Sequence, residues 1–129
     1  MRTVIGVVVG MIVGVIVVAV VESLGHMIFP PPAAVDLNDP EALQTIMDEI
    51  SVAAKAAVLV AWGLGVLIGG IVARRISRGA PLAAWSIAAF FLAFAAMTMT
   101  QIPHPLWMVV GAVVVTILGA IVANRVTSR

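Results

Sequence analysis

Apolar residues run along this chain in long blocks, and the few polar ones gather where the blocks end. From Thr3 to Val21 no residue is charged and most are Val, Ile, Gly or Ala. A helix needs about 20 such residues to cross the ~30 Å hydrocarbon layer. Val and Ile are modest helix formers in water. In lipid, however, the backbone must satisfy its own hydrogen bonds, so helix prevails. The run is too long for the apolar stretch of a signal peptide and no Ala-x-Ala-like cleavage site follows, so it predicts a retained first span. The same reading places spans at about 3–24, 51–73, 82–101 and 106–124 of a single four-helix transmembrane domain covering 1–129.

The segment between the first two spans is different. Glu22, Ser23 and His26 close the first apolar block, and Pro30, Pro31 and Pro32 stop its helix and favour polyproline II. Asp39-Pro40-Glu41 has the form of a helix start, with an N-cap, a proline at the first helical position and an acid near the dipole. Leu43, Ile46, Met47 and Ile50 then recur at helical spacing, with Asp48 and Glu49 off that stripe. A short amphipathic helix within 27–50 follows. It lies on the membrane surface, packs over the bundle mouth or continues into the second span. Further on, Pro103-His104-Pro105 breaks the third span and Trp107 marks an interface.

Small residues are also spaced. Gly6, Gly10 and Gly14 recur every fourth position, as do Ala53, Ala57, Ala61, Gly65, Gly69 and Ala73. Such rows let helices approach closely, and each is the best partner for the other. The stretch Gly69-Gly70-Ile71-Val72-Ala73-Arg74-Arg75-Ile76-Ser77 returns as Gly119-Ala120-Ile121-Val122-Ala123-Asn124-Arg125-Val126-Thr127. That similarity predicts two duplicated helical hairpins, related by a twofold axis along the membrane normal. The fold class is therefore all-α integral membrane: four transmembrane helices as two repeated hairpins, plus the short amphipathic helix.

Composition agrees, with 63% hydrophobic and only 10% charged residues. Net charge near zero gives no reason to expect nucleic acid, and the absence of Cys excludes disulfides and thiol chemistry. Charge is sorted by side. Arg2, Arg74, Arg75, Arg78, Arg125 and Arg129 fall at one end, while Glu22, Asp36, Asp39, Glu41, Asp48, Glu49 and Lys55 fall at the other. The positive-inside rule puts both termini in the cytoplasm and the 27–50 loop outside, in a bacterial inner membrane.

Candidate chemistry is sparse. Glu22 and His26 stand one helical turn apart with Ser23 between them, and His104 reaches the same level from the other hairpin. Glu22 has several possible roles. It can bond loop backbone, or pair with His26 or with Lys55, which snorkels from the second span. It can join His26 and His104 in holding a divalent metal. It can also be a protonatable coupling group for transport. A bis-His haem on His26 and His104 finds no further attachment motif. No nucleophile-elbow pattern accompanies Ser23, so an enzyme is not expected. In size and span number the chain is similar to the small multidrug resistance transporters. Their essential carboxylate lies within the first span, whereas Glu22 lies at its far end, and their aromatic signature is absent, so no site carries over. The leading expectation is a bundle that self-associates or serves another membrane protein as an accessory subunit. Two alternatives stand beside it: a small transporter or channel for a metal ion, proton or solute, and a metal- or haem-binding protein.

Overall fold

The computed structural model describes residues 1–30 and 38–128. Its helices are α1 (Arg2–Ile28), α2 (Pro40–Glu49), α3 (Val52–Ile76), α4 (Pro81–Gln101) and α5 (Leu106–Thr127). Four of them, α1, α3, α4 and α5, are long and apolar enough to cross a membrane. Each overruns its expected span at one end or both. His26 lies inside α1, and Arg74, Arg75 and Arg125 occupy last helical turns where chain exits were expected. Basic side chains there complement the helix dipole, the exposed Arg75 and Arg125 outward and Arg74 toward protein acceptors, so the helices continue past the apolar limit.

Of the proline run only Pro30 is described, two residues beyond the end of α1; Pro31, Pro32, Asp36 and Arg129 lie outside the described residues. The start of α2 is as its sequence predicts. Asp39 Oδ1 accepts from the Glu41 N–H at 3.0 Å and Pro40 is the first helical residue. Leu43, Ile46 and Ile50 are partly covered and Met47 is buried, so the apolar stripe faces protein. α2 does not run into α3. Ile50 and Ser51 are extended, and the Ser51 hydroxyl accepts from Ala54 N–H at 3.1 Å, which caps α3 separately.

The two glycine rows meet, with α1 and α3 antiparallel. A Cβ on Gly10 would stand 2.6 Å from the Gly69 carbonyl oxygen, and one on Gly14 would stand 2.9 Å from that of Gly65. Gly6 approaches Ala73 in the same register. Side chains at these positions would hold the backbones apart, so the small residues set the separation of the helices. Ala61, Gly65, Gly69 and Ala73 are buried, while Ala53, at the start of the row, is exposed.

α3 is the central helix, with α1, α4 and α5 all packed on it. Between them Val66, Ile87, Phe91 and Ala120 form the core, and the buried Thr116 hydroxyl donates to Ala112 O at 2.7 Å. α3 also touches α4, but α1 and α5 do not touch. A twofold axis exchanging the hairpins would make those two pairs equivalent, so the hairpins pack asymmetrically.

At the arginine end, Arg74 is 5% exposed. Its guanidinium donates to Gly79 O, Asn124 O and the Thr127 hydroxyl, tying α3 to the α3–α4 loop and to α5. The similar stretch that ends α5 carries Asn124 where α3 carries Arg74.

Candidate functional site

Glu22 sits on the last turns of α1, at the end of the bundle away from the arginines. Its neighbours follow from the glycine register. Each step of four along α1 is matched by a step of four back along α3, which brings Glu22 level with Ala57 and Val58. All three line one cavity. One turn deeper on α3, the Trp62 indole N–H donates to Glu22 Oε1 at 3.2 Å. Trp62 is held in turn by aromatic neighbours on α4. Its ring meets Phe91 edge-on with centroids 5.6 Å apart and lies tilted against Phe94 at 5.8 Å. The carboxylate is therefore fixed by a donor on a clamped ring. The sequence reading paired Glu22 with loop backbone, Lys55 or His26. Among the described residues its partner is Trp62, and no ion pair joins it to Lys55.

The cavity holds about 570 Å³ and is half-open. Glu22, His26, Lys55 and His104 all line it, so these candidates do converge. Ser23 does not. It is exposed on another face of α1, and its hydroxyl donates to Ala19 O at 2.7 Å. Met47 and Glu49 of α2, and Ile50 just after it, also line the cavity. Charged groups thus share the space with an apolar wall that includes Val58, Phe29 and Met108. A second space of about 120 Å³ adjoins it, with Glu22, Val58, His104 and Met108 lining both. Trp62, Leu59, Thr98 and Met99 also line it, and it is as open as the first.

His104 is partly buried in the α4–α5 turn. Its Nδ1 lies 2.6 Å from Ile102 O. A carbonyl only accepts, so Nδ1 is the donor in this contact. Sharing a cavity does not make a metal site. No group of three His, Asp or Glu among the described residues is placed to hold a metal ion, so Glu22, His26 and His104 are not assembled as ligands.

Sequence reasoning missed Trp62, Glu49 and the apolar wall. The α1–α3 pairing brings Trp62 within a turn of the Glu22 level, but which side chain reaches the carboxylate depends on helix rotation. Glu49 depended on where α2 comes to rest, which no spacing encodes. The chain matches no protein-family model, no curated protein and no solved structure.

Proposed function

We propose that this protein is a small membrane transporter or channel component that takes a small polar solute or ion into the Glu22 cavity from the acidic end of the bundle. One observation carries this reading: an acid at the end of an apolar helix, held by a part-buried indole, lines two adjoining half-open spaces, the larger polar-rimmed and the smaller mostly apolar. Acids inside membrane bundles are costly and mark pathways for ions or solutes. Beyond Trp62, Gly65, Val66, Phe91 and Thr116 fill the interior. A single chain thus binds, and passage requires a second copy or a rearranged bundle. The glycine rows that suggested self-association are occupied within the chain. For that reason the cavity, and not the bundle surface, is the basis of this reading.

On the positive-inside rule the arginine end belongs in the cytoplasm, with α2 and the cavity outside, in a bacterial inner membrane. The similar ends of α3 and α5 support an origin by hairpin duplication, followed by divergence of packing.

The test is flux into proteoliposomes of protons, zinc ion and methylammonium, each assayed separately. Glu22→Gln keeps the shape but removes the charge, and Trp62→Phe removes its donor. Uptake of at least one probe should fall about tenfold or more in Glu22→Gln and less in Trp62→Phe. Wild-type flux no faster than empty liposomes, or flux indifferent to Glu22→Gln, would overturn the proposal.

A further inference from the structure

We propose that the arginine end is a binding surface for the phosphate headgroups of acidic phospholipids, with Arg75, Arg78 and Arg125 as the donors. It is independent of the Glu22 cavity, which lies at the opposite end of the bundle. The ends of α3 and α5 and the starts of α1 and α4 meet here, and every described carboxylate lies at the far end. Arg74 is consumed by protein acceptors. Arg2, Arg75, Arg78 and Arg125 are exposed, and no guanidinium among them has a hydrogen bond or ion pair with the described protein. Four guanidiniums therefore share one end with no counter-charge from the described chain.

The backbone adds a second observation. The Gly79 N–H donates to Arg74 O at 2.8 Å, the long bond of a Schellman turn ending α3. In that turn the residue at the left-handed position is usually glycine, yet here it is Arg78, at φ 56°. A glycine would adopt this conformation without strain, as the next residue, Gly79, does at its own positive φ of 84°. Arg74, through Gly79 O, locks the loop, so Arg78 is presented in a fixed place at a conformational cost. Strain of this kind, where a cheaper residue exists, points to use of the side chain.

Depth favours lipid as the partner. Trp85, one turn into α4, is 41% exposed and sits near this end, where an indole marks the headgroup boundary. Arg75, Arg78 and Arg125 lie at or just beyond that level. Guanidinium groups hold phosphate oxygens through paired N–H donors, and the negative surface of a membrane draws such clusters to it.

The experiment extracts the protein from phosphatidylcholine nanodiscs containing one-fifth phosphatidylglycerol, about 20% by mole, and counts retained lipids by native mass spectrometry. Wild type should retain phosphatidylglycerol well above its bulk share. The Arg75→Gln, Arg78→Gln, Arg125→Gln triple variant should lose that enrichment. Because the triple variant can fail to fold, Arg78→Gly is measured as well. It should lower the enrichment severalfold while thermal stability in pure phosphatidylcholine stays equal or rises. Enrichment unchanged in Arg78→Gly and in a folded triple variant would overturn the proposal and leave the arginines to an acidic protein. Full displacement by millimolar inorganic phosphate would overturn it too, since the surface would then take free phosphate.

Discussion

Two glycines in α1 respond oppositely to the same added methyl group. A Cβ at Gly10 would meet the Gly69 carbonyl oxygen at 2.6 Å and the Ala73 Cβ at 2.8 Å. Neither is the end of a flexible side chain, so the helices would have to separate. Overpacking of this kind costs about 1–3 kcal/mol. A Cβ at Gly25 meets only the Ala57 Cβ, at an ordinary 3.9 Å. There the helix gains the propensity difference between Gly and Ala, up to about 1 kcal/mol. Gly10→Ala should therefore lower, and Gly25→Ala hold or raise, the thermal midpoint in a single detergent. The order reversed would mean that the α1–α3 register is wrong. Glu22 and Trp62 depend on that register for their contact, so the glycines also position the candidate site.

Among the elements, α3 does most of the organising, and its two ends are fixed by different means. Ser51 caps the start with a hydroxyl, whereas Arg74 ties down the finish by reaching the α3–α4 loop and α5. Hydrogen bonds to a charged group contribute about 1.5–3 kcal/mol each, and they do not add fully. Replacing Arg74 by Gln should destabilise the bundle by about 3 kcal/mol, seen in reversible unfolding in mixed micelles. Arg75→Gln, beside it but exposed, should change stability by about 0.5 kcal/mol at most. Equal effects from the two substitutions would refute the clamp. The α2 helix beside the cavity was legible in part. The Asp39-Pro40-Glu41 start and the Leu43–Met47 stripe could be read directly, because capping and amphipathic spacing are local properties. Its place beside the cavity could not, since a surface helix buries the same stripe equally well against lipid.

For the whole molecule, the described arginines and carboxylates lie at opposite ends of the bundle, and the proposed topology sets those ends in two aqueous phases. The native chain has no cysteine, so a single engineered thiol reports its own side. Arg78→Cys and Gln44→Cys should react with a membrane-impermeant maleimide from opposite faces of intact vesicles, with Gln44→Cys labelled from outside in whole cells. Labelling of both from one face would dismantle the four-span topology. The repeat is instructive at this scale. Its matching ends implied equivalent hairpins, yet α3 touches α4 while α1 and α5 stay apart. Similar sequences set similar helices; they do not oblige the helices to choose equivalent neighbours.

The four helices long and apolar enough to cross a membrane, the gathering of arginines at one end of the bundle, and the approach of the glycine row of α1 to the small-residue row of α3 could all be read from the residues alone. Each follows from transfer between water and oil, or from the size of a side chain, and both are properties a residue carries wherever it sits. The company Glu22 keeps could not be read in that way. Trp62 as its donor, Ser23 turned away, the histidines sharing a cavity without grouping as ligands, and α2 resting beside them were decided by helix rotation and tilt. A bilayer constrains those only weakly, because lipid is as apolar as the side chains it touches. Packing between particular surfaces sets them, and packing exists only once the helices have met.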